Sequence, residues 1–388
     1  MKPSLCILFL VSKNHFIIVN KWLNFYLENK IEVVPLKKFL IILTAILFAS
    51  GCAGDNELLN ENEASEAVAR QAEVMATDLQ IPWNITKYNQ TFYLSQRAGS
   101  IIKVDGENGS KTMQEVDVTK DVLHVGEGGL LGFILSPNFD SNQEAYAYHT
   151  YEENGEVLNR IVVLRLNQNT WRETSVILEG IPGGRIHNGG RIKIGPDGKL
   201  YATAGDAGNP NNAQNVSSLA GKILRMELDG SIPNDNPIKN SYVYSYGHRN
   251  PQGLAWDPSG KLYSSEHGQS AHDEINQIEP GKNYGWPVIE GDEKASNMVS
   301  PLFHTGEVTW APSGIEIKND KIYVATLRGE SIRVVDLAGT KVETVFEGAG
   351  RMRDILIKEN ELYSITNNRD GRGNPREGDD RLFKLIIQ

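Results

Sequence analysis

The stretch Gly195–Tyr201 (Gly-Pro-Asp-Gly-Lys-Leu-Tyr) recurs, slightly changed, as Asp257–Tyr263 (Asp-Pro-Ser-Gly-Lys-Leu-Tyr). In both copies a turn with proline and glycine leads directly into a β-forming run that contains tyrosine. The loops before the two copies differ: Arg185–Arg191 precedes the first, and Tyr246–Gly253 precedes the second. A repeated strand unit with different polar residues in equivalent loops is typical of a β-propeller, which builds its site at the centre.

The tyrosine of this pattern occurs at six places along the chain. The runs that carry it are Thr91–Leu94, Glu144–Ala147, Lys199–Ala202, Lys261–Ser264, Lys321–Val324 and Glu361–Ser364. Most of them are followed within about 25 residues by a second β-rich segment. These segments are Ile101–Val104, Arg160–Leu166, Lys222–Leu228, Ile332–Leu337 and Arg381–Ile387. The intervals between successive tyrosines are 53, 55, 62, 60 and 40 residues, which is longer and less even than in a WD40 repeat.

Six similar units predict a closed ring, because a ring leaves no long sheet edge exposed to other chains. We therefore expect an all-β fold for residues 70–388, namely a six-bladed β-propeller of four-stranded antiparallel blades. A large β-sandwich whose strands happen to share tyrosine is the alternative.

Residues 1–51 have the pattern of a lipoprotein signal. Leu36–Phe39 begins a basic region, Leu40–Phe48 is apolar but too short to span a bilayer, and Ala49–Cys52 resembles a lipobox. Residues 1–35 are not needed by such a signal, and a start codon assigned too far upstream would account for them. Residues 52–69 are acidic and poor in aromatics, as in a flexible tether. We expect an extracytoplasmic protein that is lipid-anchored to the cell membrane through Cys52.

Charge and cysteine content narrow the function classes. After removal of residues 1–51, the chain has 33 basic and 47 acidic residues and a formal charge of −14, which disfavours nucleic-acid binding. Cys6 lies in the removed segment and Cys52 would carry lipid, so no disulfide is expected. The remaining chain is long enough to depend on a hydrophobic core instead.

Two glycine-flanked loops carry polar residues that suit a reactive site. His187 lies between two Gly-Gly pairs, which indicates a tight loop and a close approach to another group. Its imidazole is a candidate catalytic group, or alternatively a plain surface side chain. Arg249, next to Asn250, could hold an anion or a developing oxyanion. It could equally tie two blades together through backbone carbonyls.

Two other segments suggest a cation site and an anion site. Ser265–Asn276 combines carboxylates with a glycine loop, and such oxygen donors suit Ca²⁺. Its histidines also allow a transition metal, although the spacing fits no standard zinc pattern, and a solvated acidic loop is the alternative. Arg351 and Arg353 lie two apart on one strand face, with Arg328 in the preceding unit. These cations could converge on a polyanionic ligand or be solvated surface groups.

Together these features resemble the soluble pyrroloquinoline quinone (PQQ)-dependent glucose dehydrogenases and their relatives, the aldose sugar and glucose/sorbosone dehydrogenases. The resemblance covers nearly all of residues 80–388. Its most specific parts are Gly128–Phe133, His187 with Gly190-Arg191 and Gly195–Asp197, Gly247–Leu254, Asp273–Asn276, Asn283–Pro287 and Arg225–Pro237. The resemblance implies a six-bladed propeller that oxidises aldose sugars at C1 to lactones with PQQ and Ca²⁺.

The resemblance also implies roles for individual residues. His187 would be the general base that takes the proton of the C1 hydroxyl while hydride passes to C5 of PQQ, and Arg249 would lie near the reacting quinone oxygen. The residues implied to bind PQQ are Glu127, Asn250, Arg328, Arg351 and Arg353. Those implied to bind metal are Gly268 and Gln269, through carbonyls at the Ca²⁺ beside PQQ, and Glu274 and Tyr284 at a second, structural Ca²⁺.

Three departures from the glucose enzymes favour an open site that accepts varied aldoses. Ile186 stands where those enzymes have an acidic residue before the base, and Glu127 stands where they have glutamine. The insertions on the substrate side are short between Asn209 and Ala220 and before Trp310.

A quinone, a cytochrome or a dye-like mediator would serve as electron acceptor. The competing interpretations are a propeller lactonase or other metal-dependent hydrolase, and a propeller that binds a ligand without catalysis.

The lipobox predicts that Cys52→Ser releases the protein from the membrane, because the acyl chains supply the hydrophobic anchor. Cells that produce the wild type or the variant are fractionated and partitioned with detergent. The wild type should follow the detergent phase and the variant should not. Identical behaviour of both as soluble cytoplasmic protein would contradict the prediction.

Overall fold

The computed structural model describes residues 72–387, which are built almost wholly from β-strands. The signal segment predicted for residues 1–51 and the tether predicted for residues 52–69 lie outside the described residues. The first strand is β1 (Glu73–Ala76), and two single-turn helices, α1 (Phe139–Asn142) and α2 (Asn211–Gln214), interrupt the strands. No helix within residues 72–387 is long and apolar enough to cross a membrane. The all-β prediction is confirmed.

The largest sheet has eight strands. They are β2 (Pro82–Tyr88), β3 (Thr91–Gln96), β4 (Ser100–Asp105), β5 (Lys111–Asp117), β6 (Leu130–Leu135), β7 (Glu144–Glu153), β8 (Glu156–Asn167) and β9 (Thr170–Pro182). Their spatial order is β2-β3-β4-β5-β9-β8-β7-β6. All neighbours are antiparallel except β5 and β9, which pair in parallel through residues 115–117 and 170–172.

Four other sheets have four antiparallel strands each. The second sheet contains β10 (Ile192–Ile194), β11 (Leu200–Ala204), β12 (Lys222–Met226) and β13 (Val243–Tyr246). The third contains β14 (Pro251–Trp256), β15 (Leu262–Glu266), β16 (Glu274–Ile278) and β17 (Phe303–His304). The fourth contains β18 (Pro312–Lys318), β19 (Lys321–Thr326), β20 (Ser331–Asp336) and β21 (Val342–Glu347). The fifth contains β22 (Met352–Lys358), β23 (Glu361–Thr366), β24 (Leu382–Ile386) and β1, which pairs with β24.

The structure therefore shows five sheets, and the count of six separate blades stays a prediction. The eight-stranded sheet consists of two antiparallel groups of four, β2–β5 and β6–β9. The groups join because the first residues of the 13-residue strand β9 run alongside the end of β5.

Each recurring tyrosine lies on the second strand of a group of four and is at most 7% exposed. Each also belongs to a hydrophobic cluster that joins its own group to the next one. Tyr146 on β7 shares such a cluster with Leu200 on β11. Tyr363 on β23 packs against Phe92 on β3, with ring centres 4.7 Å apart, so the last group meets the first. The repeated residue of the sequence is thus the contact between neighbouring groups.

The first strands of the groups form a closed cycle around the middle of the molecule. Contacts join β2 to β6, β6 to β10, β14 to β18, β18 to β22 and β22 back to β2, while β14 meets β11 of the second sheet. This is the arrangement of a β-propeller. It leaves the loops before the first strands and after the second strands at one end of the cycle, because strands in each group alternate in direction.

One buried cation secures a long loop of the second sheet. Lys222, the first residue of β12, is fully buried. Its Nζ donates to the carbonyl oxygens of Asn212 (2.8 Å), Ala213 (3.0 Å) and Ala220 (2.7 Å). These bonds help to fix α2 and the segment after it against the sheet. The carbonyls of Asn212 and Ala213 also accept backbone N–H groups, whereas the Ala220 carbonyl has no donor other than Lys222 within residues 72–387.

We expect Lys222→Met to lower the free energy of unfolding by about 1–3 kcal/mol, because the Ala220 carbonyl loses its donor and the Asn212 and Ala213 carbonyls each lose one of two donors. The matched control is Lys103→Met, which alters an exposed side chain on β4 and should change stability by less than about 0.5 kcal/mol. Urea unfolding of both variants measures the difference. Equal values for the two would contradict the role given to Lys222.

Candidate functional site

The candidate residues lie in loops that meet at one end of the sheet cycle. Glu127, His187, Arg249 and Arg351 stand directly before first strands, and Arg328 follows the second strand β19. The antiparallel order brings these two kinds of loop together.

A cavity of about 460 Å³ collects most of the predicted site residues. It is lined by Glu127, His187, Arg249, His267, Gly268, Gln269, Ser270, Asp273, Thr309, Ala311, Leu327, Arg328, Arg351 and Arg372. A narrower recess shares Glu127 and Arg372 with it and reaches the buried Arg353; together we call them the site cavity. A larger cavity of about 550 Å³ near Lys87 and Tyr363 contains none of the predicted residues.

His187 is oriented by a carboxylate that the sequence analysis did not identify. Its Nδ1 lies 2.7 Å from Oδ1 of Asp206, which also accepts the N–H of Gly208. The other oxygen, Oδ2, accepts the indole N–H of Trp286 at 2.9 Å. An ionised carboxylate only accepts hydrogen bonds, so the imidazole hydrogen is assigned to Nδ1 and Nε2 is left as an acceptor. This is the arrangement of an oriented general base.

Glycines allow the two loops of this pair to approach closely. His187 itself has a φ of +57°, a conformation that most residues other than glycine avoid. A Cβ atom at Gly205, next to Asp206, would collide with the carbonyl oxygen of His187. The close approach expected from the glycines around His187 is confirmed.

Glu127 links the loop of His187 to a third loop. Its Oε2 accepts the backbone N–H of His187 at 2.9 Å, and its Oε1 lies 2.7 Å from Nη1 of Arg372. Burial alone would raise the pKa of the Glu127 carboxyl, but the His187 N–H and the charge of Arg372 help to lower this pKa to about 2. Glu127 is therefore an anion at neutral pH and holds the backbone of His187, whereas Asp206 contacts its imidazole.

Arg249 ties two sheets together and still has an unused donor. Its backbone N–H donates to Glu266, and its Nη1 donates to the carbonyl of His267 at 3.2 Å. The guanidinium carbon lies 5.3 Å from the ring centre of Trp286. Its Nε is buried and has no partner among the described residues. Arg249 can therefore link the two sheets and still donate a hydrogen bond to a bound ligand.

Arg351 and Arg353 are both buried at the site cavity, so the alternative of solvated surface groups is wrong for this pair. Arg351 donates through Nε (3.2 Å) and Nη2 (2.8 Å) to Oδ2 of Asp370. Arg353 donates to Oε1 of Gln252 at 2.7 Å and to Oδ1 of Asn367 at 3.1 Å. Burial lowers the pKa of Arg353 to about 9.

The loop after β15 lines the site cavity, and two of its carbonyl groups have no hydrogen-bond donor within residues 72–387. Oδ1 of Asp273 accepts the N–H of Gly268 at 3.0 Å, and Oδ2 accepts the N–H groups of Trp310 (2.6 Å) and Ala311 (2.8 Å). The carbonyl oxygens of Gly268 and Gln269 accept no hydrogen bond from residues 72–387. Oxygen atoms of this kind are suitable Ca²⁺ ligands.

Asn250 lies behind the site cavity and does not line it. It is fully buried, and its Oδ1 accepts the N–H of Gly189 at 3.2 Å. Its Nδ2 has no partner among the described residues. A direct contact of Asn250 with a cofactor stays a prediction.

Glu274 and Tyr284 also lie outside the site cavity. The two oxygens of Glu274 accept N–H groups from Gly291 and Asn276, both at 3.1 Å. The hydroxyl of Tyr284 donates to the carbonyl of Gln277 at 2.6 Å. Within residues 72–387, no group of three or more His, Cys, Asp and Glu side chains is placed to hold a metal ion. The second Ca²⁺ site stays a prediction.

Unused polar groups and excess positive charge make the site cavity suitable for an anion. Among the cavity residues, Nε of Arg249 and Nε2 of His267 are buried nitrogens without a partner among the described residues, and such groups are costly to leave unpaired. The guanidinium groups in or beside the cavity are those of Arg97, Arg249, Arg328, Arg351, Arg353 and Arg372. The carboxylates in or beside it are those of Glu127, Asp206, Glu266, Asp273 and Asp370. Six cations against five anions leave a surplus of positive charge, which fits a ligand with several carboxylate oxygens.

The sequence analysis missed Asp206, Trp286, Asp370 and Arg372. Asp206 follows the second strand β11 as Arg328 follows β19, so its place in the repeat could have identified it. Asp370 and Arg372 lie in the long connection between β23 and β24, which has no repeat pattern. Their roles depend on contacts with residues far away in the chain.

Comparison with known proteins identifies the relatives of the chain. The sequence profile of the glucose/sorbosone dehydrogenase family matches residues 79–377. The quinoprotein glucose dehydrogenase B of Acinetobacter calcoaceticus is 39% identical over 235 residues, which are 52% of this chain and 49% of that enzyme. An aldose sugar dehydrogenase of Escherichia coli is 28% identical, and the match covers 77% of this chain and 90% of that protein.

Solved structures show the same relationship. The PQQ-bound form of an aldose sugar dehydrogenase from Streptomyces coelicolor is 40% identical, with a TM-score of 0.77 over 82% of this chain and 98% of that chain. An oxidoreductase of Thermus thermophilus described as a glucose dehydrogenase is 38% identical, with a TM-score of 0.76 over 81% and 99% of the two chains.

The low pKa of Glu127 predicts a pH-dependent contribution to stability. The pKa is about 2 when folded, against 4.5 for a free carboxyl. The contribution of the ionised Glu127 carboxylate to the free energy of unfolding is therefore complete above about pH 5 and is lost as the pH falls towards 2. Glu127→Gln should lower the free energy of unfolding by up to about 3 kcal/mol at pH 7, and the difference from the wild type should narrow between pH 5 and pH 3.

Urea unfolding at pH 7, 5, 4 and 3 measures this effect. The control is Glu115→Gln, which changes an exposed side chain on β5 and should alter stability little at any of these pH values. A difference between Glu127→Gln and the wild type that stays constant over the whole range would contradict the prediction.

Proposed function

The chain belongs to the glucose/sorbosone dehydrogenase family, and from this premise we propose that it oxidises aldose sugars at C1 to lactones with PQQ and Ca²⁺. The observation that carries the proposal is the His187–Asp206 pair, which faces a cavity with more guanidinium groups than carboxylates. A base for a hydroxyl proton and a receptor for a polyanion stand together there. The quinoprotein and PQQ-bound relatives support the choice of cofactor.

Some residues of the chain would transfer the proton of the substrate, and others would bind the cofactor. Nε2 of His187 takes the proton of the C1 hydroxyl, and Asp206 stabilises the imidazolium that results. Bound PQQ supplies the two-electron acceptor for the C1 hydride, and bound Ca²⁺ supplies a Lewis acid. Arg328, Arg351 and Arg353 would hold the carboxylates of PQQ.

The remaining ligands follow from the geometry of the loops. The free carbonyls of Gly268 and Gln269 are the proposed Ca²⁺ ligands, and Asp273 keeps their loop in place by accepting the N–H of Gly268. Arg249 has a buried Nε without a partner among the described residues and would donate to an oxygen of the bound cofactor. Asp370 already pairs with Arg351, so the cofactor would share that guanidinium with it.

The fold and location that accompany this function are also proposals. We interpret the antiparallel groups β2–β5 and β6–β9 as two blades joined at their edges, which makes the molecule a six-bladed propeller over residues 70–388. Residues 1–51 would act as a signal and residues 52–69 as a tether, so that the lipid on Cys52 holds the enzyme at the outer side of a membrane. A quinone, a cytochrome or a similar mediator would then receive the electrons.

Reconstitution tests the proposal directly. Protein treated with chelator should reduce a dye in the presence of aldoses only after PQQ and Ca²⁺ are both added, and NAD should have no effect. The measurement is initial rate with a panel of aldoses. Oxidation with nicotinamide alone, or no oxidation of any aldose after loading, would overturn the proposal.

Substitution of the base separates chemistry from binding in the same assay. His187→Ala should lower kcat by roughly 10²–10⁴-fold, the range for loss of a general base, while PQQ still binds. His124→Ala, which removes an exposed imidazole near Glu127, is the matched control and should retain the wild-type rate. Near-wild-type turnover of His187→Ala would show that another group is the base.

A further inference from the structure

Arg372 has an unusual position among the cations of the site. It lies between β23 and β24, lines both parts of the site cavity, and its side chain is 54% exposed. Its Nη1 contacts Glu127 at 2.7 Å, whereas its Nε and Nη2 donate to no residue within 72–387. One side of the guanidinium is thus anchored, while the donors on its other side have no partner within residues 72–387.

This geometry leaves Arg372 prepared for a second carboxylate. The anchored guanidinium has already lost much of its side-chain freedom, so a ligand that binds it loses less entropy on ordering. The open N–H groups form part of the planar fork that matches a carboxylate in a bidentate contact. A neutral hydroxyl would use only one of these donors.

The charges around Arg372 do not repel such a ligand. The charge of Glu127 is engaged by Arg372 and by the N–H of His187. Asp273 is only 2% exposed and accepts three N–H groups, while Arg328 is exposed in the same cavity. A bound tricarboxylate with one Ca²⁺ adds a net charge of −1, which the surplus of six guanidinium groups over five carboxylates offsets. The loaded site therefore has no excess of negative charge that would repel an anion.

Glu127 links Arg372 to His187. Its carboxylate contacts Nη1 of Arg372 (2.7 Å) and the backbone N of His187 (2.9 Å), and both residues line the same cavity. In the proposed subsite, a pyranose that presents its C1 hydroxyl to His187 would place a charged substituent at the other end of the ring against Arg372.

We infer that Arg372 is a carboxylate-binding subsite and that the substrates include uronic acids, which are aldoses with a carboxylate at C6. The inference rests on the proposed function and narrows its substrate class. The reaction is still oxidation at C1: the hydride leaves C1 for PQQ, the O1 proton goes to His187, and C1 and O1 form the lactone carbonyl. The C6 carboxylate stays unchanged and serves only for binding.

The test compares glucuronate with glucuronamide, its neutral amide of nearly the same shape. The ratio of their kcat/KM values is measured for wild type, Arg372→Met, Arg372→Lys and Arg376→Met, with PQQ and Ca²⁺ bound. Arg372→Met will weaken both reactions because Glu127 loses its partner, but the ratio should fall by about 10-fold or more, the value of one charge-assisted contact. Arg372→Lys should give an intermediate ratio. Arg376→Met, in the same loop but outside the cavity lining, should leave the ratio unchanged.

Calorimetric titration of glucuronate and glucuronamide provides a reading that does not need turnover. A larger loss of affinity for glucuronate than for glucuronamide on going from wild type to Arg372→Met supports the subsite even if no sugar is oxidised, in which case only the proposed function fails. If Arg372→Met loses the same affinity for glucuronate and for glucuronamide, the inference is overturned. Arg372 would then act only by positioning Glu127. A matching fall in PQQ affinity of Arg372→Met, without a change in the sugar ratio, overturns it in favour of cofactor binding.

Discussion

The packing of each group of four strands against the next is the interaction on which the other features depend. The recurring tyrosine supplies this contact: it is buried on the second strand of its own group and belongs to the cluster shared with the following group. Burial of aromatic area is among the largest stabilising terms available to a side chain. Because Tyr363 meets Phe92, the same contact closes the cycle and needs no disulfide.

The buried guanidinium groups of the site cavity depend on partners that the folded sheets bring to them. Guanidinium groups such as those of Arg351 and Arg353 are buried, and a buried charge is tolerated only with partners. Asp370 and Asn367, in the connection after β23, and Gln252, on β14, supply those partners. The cavity therefore has a fixed scaffold of paired cations before any ligand binds, which is the condition for a preorganised anion site.

His187 shows how several loops cooperate in one reactive group. Asp206 holds its imidazole, and Glu127 holds its backbone. Trp286 in turn restrains Asp206, and Arg372 restrains Glu127. The proposed base is therefore held at its imidazole and at its backbone by contacts within the protein. Small changes in any of these loops would alter the direction of Nε2, to which proton transfer is sensitive.

The local sequence was sufficient for elements whose physics is local. The turns before Tyr201 and Tyr263 identified strands, and the glycines around His187 identified a close approach. The join between β5 and β9 was not predictable, because it depends on where a 13-residue strand happens to run beside another group. The candidate residues that line the cavity were found mainly through the family resemblance. Their spacing alone was equally compatible with a surface or purely structural role.

The sequence by itself determined the repeated strand unit, its buried tyrosine and the identity of the polar loop residues, since turn chemistry and hydrophobic alternation act over a few residues. Only the tertiary structure decided which of those polar residues meet. Glu127 and Arg372 are 245 positions apart, and Asp206 reaches His187 from a different loop. Three residues from the same motifs do not line the cavity and form hydrogen bonds with residues outside its lining: Asn250, Glu274 and Tyr284. The reason is that pairing between loops is set by closure of the sheet cycle, and no local pattern along the chain records that geometry.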